Sequence, residues 1–359
     1  MHLRNFGCRI SDQYVFNGYR TIVMENELLR VSILADKGTD IFEFLYKPLD
    51  IDFMWRNALG FQHPANFVPT INSKGGNFMD YYHGGWQEIF PIGGGPCDFK
   101  GAEMGQHGEI ALIPWEYQIL IDTEEEISVR FTVRTNRTPF FLEKVLTMKA
   151  NTPILYIKET VVNEGEEEIN FMWGHHPAFG GRFLDETCVI DAPAGKVESF
   201  FDAQPTNRVA PGEYTNWPMI KSVDGLEKVD LSKVPPKESR SMDMCFLTEL
   251  EDSWYGITNT GKKVGFGMRW DKELFPHIWY WMVFGGAYGY PAYGRYYNLA
   301  LEPFSSYAPH GGGFPEILKE NGHLRLGAGE SITTELMAIA YAGIDGVKEI
   351  KPDGTVIGK

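Results

Sequence analysis

The sequence predicts an all-β protein built as a large antiparallel sandwich with few short helices, and three observations carry that prediction. Residues Ile127 to Arg134 read Ile-Ser-Val-Arg-Phe-Thr-Val-Arg, an alternation that sends apolar side chains to one face of a strand and polar ones to the other. Turn signals such as Asn163-Glu164-Gly165, Asp224-Gly225 and Asp353-Gly354 punctuate further stretches of this kind. No long segment sustains a 3.6-residue apolar period, and 39 Gly with 21 Pro interrupt most helical candidates.

In chain order, alternating or β-branched runs predict strands at Leu28 to Leu34, Ile127 to Arg134, Leu155 to Val162, Val264 to Trp270 and Ser331 to Ile339. The apolar run Ile110 to Trp115 reads as another strand, with a histidine just before it. Between the first two runs, Asn57 to Lys100 is irregular and dense in Gly, Pro and aromatics, the kind of long loop on which a β scaffold carries binding residues. The polar stretch Lys228 to Ser241 reads as a surface excursion and no internal repeat is evident, so residues 1–359 are read as a single domain.

Composition narrows the function. The chain carries 33 Lys plus Arg against 48 Asp plus Glu, a formal charge of -15, which disfavours nucleic acid and anionic membranes as partners. The aromatic share of 14% suits strands and surfaces on which sugar rings stack. Cys8, Cys97, Cys188 and Cys245 are widely spaced with no CxxC pair, so neither a sulfur-rich zinc site nor a disulfide framework is expected. The N-terminus lacks the pattern of a signal peptide and no run reaches the roughly 18 apolar residues of a membrane span, which predicts a cytoplasmic protein.

Ionisable residues gather in four short segments. Tyr82-His83-Gly84-Gly85-Trp86-Gln87-Glu88 combines glycines that let a ligand approach the backbone, a tryptophan to stack on it and three polar groups; its alternative reading is a loop packed by an aromatic. Gly105-Gln106-His107-Gly108-Glu109 offers a lone histidine, which is commonly a structural hydrogen-bonder. In Trp173-Gly174-His175-His176-Pro177-Ala178-Phe179 the proline biases His176 to an extended backbone, so the two histidines point to opposite faces and only one serves a given site. Leu299-Ala300-Leu301-Glu302-Pro303-Phe304 places a carboxylate in an apolar strand, where it needs either a task or a partner such as Arg295. Neither an HxH pair nor HExxH occurs, so no metal is expected.

Taken in order, these segments resemble the galactose mutarotase-like superfamily and specifically its aldose 1-epimerases. The likeness runs through Val31 to Ile41, the Gly84-Gly85 loop to Pro91, Gln106-His107-Gly108, His176-Pro177-Ala178-Phe179 and Leu301-Glu302-Pro303. It implies a β-supersandwich and an isomerase of carbohydrate metabolism that needs no cofactor. His176 would protonate the ring oxygen of a neutral aldose, Glu302 would take the anomeric hydroxyl proton, and His107 would hydrogen-bond the sugar. With side-chain pKa values of about 6.5 and 4.3, a protonated histidine and an ionised glutamate nearly coexist at neutral pH. His83 stands where relatives often carry an arginine; His83, Trp86, Gln87 and Glu88 are expected to bind substrate, and Asp271 to grip its hydroxyls. Three other readings compete: a metal-dependent sugar isomerase with His83, Glu88, His107 and His176 as ligands, a non-catalytic sugar sensor, and a polysaccharide lyase or hydrolase.

Overall fold

A computed structural model describes residues 4–63, 78–311, 314–320, 322 and 324–359. Two antiparallel sheets dominate it. The larger runs through the strands Arg9–Phe16, Tyr19–Glu25, Leu29–Leu34 and Asp40–Tyr46, then Trp86–Ile89, Gly174–Phe179, Tyr297–Phe304, His277–Phe284, Ser241–Leu250, Ala194–Ser199 and Tyr214–Asn216. Its early strands follow chain order, whereas its centre brings together segments more than two hundred residues apart. The smaller sheet is ordered Cys188–Asp191, Trp254–Asn259, Val264–Arg269, Ser331–Ala342, Ile154–Asn163, Phe140–Lys149, Glu126–Arg134 and Glu116–Asp122. Among the described residues, α-helix is confined to Phe78–Tyr81 and Phe314–Glu320.

The alternation seen in the sequence explains the packing. In Phe140–Lys149, positions 140, 142, 144, 146 and 148 are buried while those between are half-buried, so one face of the strand enters the sandwich. Phe266 of the smaller sheet meets Phe44, Trp86 and Phe179 of the larger at ring separations of 5.3, 6.4 and 4.8 Å. These crossings stitch the sheets together; a buried ring contributes roughly 1.5–3 kcal/mol through the area it removes from water.

The predicted strands appear at Leu29–Leu34, Glu126–Arg134, Ile154–Asn163, Val264–Arg269 and Ser331–Ala342. The run Ile110 to Trp115 does not form a strand: it is a chain of turns, and pairing resumes at Glu116. Its apolar residues are used instead to plug the sandwich edge, with Ile110 and Trp115 fully buried and Trp115 N–H donating to Ala35 O at 2.8 Å. Part of the irregular stretch from Asn57 to Lys100, residues 64–77, lies outside the described residues. No described helix is long and apolar enough to cross a membrane.

Candidate functional site

Strand register builds the site. Gly174 pairs with Phe304 and Ala178 with Ala300, which sets His176 across from Glu302. His176 also pairs with Gln87, Glu302 with Trp279, and Trp279 with Phe246. One transverse row, Gln87, His176, Glu302, Trp279 and Phe246, therefore crosses five neighbouring strands on the face turned away from the second sheet. His175, the chain neighbour of His176, points the other way, as the proline argument requires.

His176 and Glu302 lie in the wall of a cavity of about 550 Å³, together with His107, Tyr82, Phe78 and Trp281. His176 Nε2 is 3.5 Å from Glu302 Oε1, and its Nδ1 is 3.5 Å from Tyr82 Oη. His107 stands beside them, its ring 5.8 Å from that of His176 and edge-on to Phe78 at 4.6 Å. Its backbone is left-handed at φ 61° and is pinned by His107 N–H to Gly94 O at 3.0 Å. Gly108 follows at φ 72°, where a Cβ would meet Phe90 O at 2.3 Å, so only glycine lets this turn press against the strand. Gly94 N–H donates to His107 Nδ1 at 3.2 Å, which leaves the neutral ring's proton on Nε2 as a donor.

Burial governs the titration of these groups. It pushes His176 down to about 4 and, with the neighbouring His176, His107 down to about 3. The same desolvation raises Glu302 well above the usual carboxylate range. Glu302 does not pair with Arg295, whose Nε–H donates to Ala292 O at 3.4 Å; its Oε2 is buried with no protein hydrogen-bond partner. Burial therefore favours the uncharged form of each group, the reverse of the imidazolium and carboxylate expected from the sequence.

The remaining sequence candidates lie elsewhere. Trp86 is no stacking platform: it faces the sandwich interior, its Nε1–H donating to His175 Nδ1 at 3.2 Å. Glu88 shares that interior, accepting from Trp173 Nε1 at 2.8 Å and lying 2.7 Å from Lys144 Nζ. Gln87 is on the site face but outside the cavity wall, where its amide donates to Asp40 Oδ2 at 3.0 Å and Gly84 O at 2.7 Å. His83 sits beside it, Nε2 3.4 Å from the same carboxylate and its ring 4.2 Å from Phe61. Asp271 is on the outer side of the smaller sheet, capping a turn through Glu273 N–H. The four residues of the metal reading are thus divided, and the described residues hold no cluster of three or more His, Cys, Asp and Glu suited to a metal.

The sequence reading missed the aromatic wall. Trp279 and Trp281 sit two apart in His-Ile-Trp-Tyr-Trp-Met-Val-Phe, a spacing that puts both on one face, and Tyr288, Tyr290 and Tyr296 follow in the next loop. That spacing was the available signal.

Solved structures share this architecture. Similar ones include the Slr1438 protein of Synechocystis sp. PCC 6803, at 16% identity and TM-score 0.63 over 96% of this chain and 100% of that one. A galactose mutarotase-like protein of Clostridium acetobutylicum matches at 15% identity and TM-score 0.61 over 94% and 99% of the two chains. A galactose mutarotase related enzyme of Lactobacillus acidophilus matches at 18% identity and TM-score 0.60 over 92% and 100%. The fold is galactose mutarotase-like. None of the curated proteins matches the sequence. The family model described as domain of unknown function DUF4432 matches residues 16–337, and the chain belongs to that family.

Proposed function

We propose that the protein is an aldose 1-epimerase, interconverting the anomers of a neutral aldose or aldose derivative by acid and base catalysis. The observation that carries this reading is the opposition of His176 and Glu302 in one strand row on a cavity floor, with His107 alongside.

Ring opening needs a proton delivered to the ring oxygen and another removed from the anomeric hydroxyl. A pair holding one proton can do both in one passage, because whichever group gives a proton leaves the other free to take one. His176 and Glu302 act as this pair; the sugar lies between them, and reversal after rotation about the first carbon bond gives the other anomer. His107 Nε2–H donates to a substrate oxygen, and Trp279, in the same row, gives the apolar face of the ring a surface. Among the described lining residues there is no lysine or arginine to balance a phosphate or carboxylate, which favours a neutral sugar. Sugar-related names among the structural neighbours support the same reading.

Glu302→Gln keeps the shape of the side chain and removes its acid and base function. Turnover in an anomer-interconversion assay is expected to fall by about 10²- to 10⁴-fold with sugar binding retained. Unchanged turnover overturns the assignment.

A further inference from the structure

The cavity is longer than the catalytic row. The strands that carry Glu302 and Trp279 continue away from that row, and register fixes what lies along them. Trp281 pairs with Met244, and Val283 with Met242. These residues share the face of Trp279, so two further rows of floor extend about 13 Å beyond it, at roughly 3.3 Å per residue. Met242, Met244, Trp281 and Val283 all line the cavity, as do Tyr288, Tyr290 and Pro291 from the following loop.

This extension differs chemically from the catalytic row. Among its described residues no acidic or basic side chain lines the wall, and Met, Val, Trp and Pro provide surface without hydrogen-bonding demands. Among the described lining residues, polar side chains stand at its edges, where Gln204 and Thr206 approach on a segment tied down by Thr206 Oγ1–H to Gly286 O at 2.9 Å. The mouth is flanked by Tyr288 and Tyr290, exposed by 65% and 55% although both belong to the lining. Tyr290 is steadied by donating its hydroxyl to Asp80. One pyranose over the His176–Glu302 row leaves these rows uncovered.

We propose that the rows of Trp281 with Met244 and Val283 with Met242, flanked by Tyr288 and Tyr290, form a second subsite for a flat ring attached to the sugar away from its anomeric carbon. The substrate class is then a reducing sugar with a second ring, either another pyranose presenting its C–H face or an aryl substituent. Both stack on aromatic and thioether surface in the same way. The inference rests on the proposed epimerase reading only for placing the anomeric carbon at His176 and Glu302.

The test measures binding separately from turnover. Dissociation constants for glucose, cellobiose and 6-O-benzylglucose are determined by calorimetry on the full chain, and anomer interconversion is followed in parallel. At least one two-ring ligand is expected to bind about tenfold more tightly than glucose, and the tighter of the two names the source of the ring. In Tyr288→Ala, and independently in Met242→Gln, the ratio of two-ring to one-ring affinity is expected to fall at least fivefold. Equal affinities for all three ligands, or a ratio unmoved in both variants, overturn the subsite. A preserved two-ring preference without any acceleration of interconversion would instead sink the epimerase reading and leave the subsite standing.

Discussion

His176 and Glu302 show how burial rearranges what ordinary side-chain chemistry suggests. Unperturbed values would confine an imidazolium and carboxylate pair to a narrow band between about 4.3 and 6.5. In the structure desolvation moves the two apart in the opposite order, His176 to about 4 and Glu302 upward. The pair gains a second proton only as pH falls through about 4, and loses its one proton only as pH rises past the elevated Glu302 value. Because the groups touch, both limbs belong to the pair. The expected kcat/KM profile therefore has its acid limb near pH 4, below the usual histidine value, and its alkaline limb above the usual carboxylate value. An acid limb centred near 6.5 would contradict it. The residue types and order of His107, His176 and Glu302 were legible because their motifs are local, as was the division of the histidine doublet by Pro177. The places of Trp86, Glu88 and Asp271 were not, because alternation reveals two faces without saying which is which.

Those inward faces also carry charge. Lys144 and Glu159 are directly opposed in the smaller sheet, and His175 and Glu88 are directly opposed in the larger. The two pairs meet in the sandwich interior, with Lys144 Nζ 2.7 Å from Glu88 and 3.5 Å from Glu159, and His175 Nε2 3.0 Å from Glu159. Lys144 also donates to Thr39 at 2.9 Å. Coulombic attraction to Glu88 and Glu159 outweighs burial for Lys144 and holds its pKa above the usual lysine value, while burial pushes Glu88 up. Lys144→Met would leave two buried carboxylates without their cation, and is expected to cost about 3–5 kcal/mol in urea denaturation. A loss under 1 kcal/mol would show that the cluster does not tie the sheets together. A hint lay in Phe-Phe-Leu-Glu-Lys-Val-Leu-Thr-Met-Lys, where Lys144 falls on the apolar parity. Its partners come from other strands, and no local pattern names them.

At the scale of the molecule, alternation and turn spacing were enough for the two-sheet architecture, and strands were misplaced only where apolar residues serve a turn, as at Ile110 to Trp115. What no local pattern contains is the order Trp86–Ile89, Gly174–Phe179, Tyr297–Phe304 and His277–Phe284 at the centre of the larger sheet. That order assembles the cavity, because it puts motifs from three distant segments into one row. The net charge of -15 and a described lining without lysine or arginine act in the same direction on the choice of ligand. Glucose 6-phosphate is accordingly expected to bind no better than glucose in calorimetry; a tenfold preference for the phosphate would place a cation at the site that this account lacks.

The most direct test of the central claim is anomer interconversion, followed by NMR on freshly dissolved neutral aldoses with wild-type protein and Glu302→Gln, with and without chelator. The account predicts acceleration by the wild type that survives chelation and is lost in the variant. Saturable binding without acceleration, or activity abolished by chelator, would contradict it.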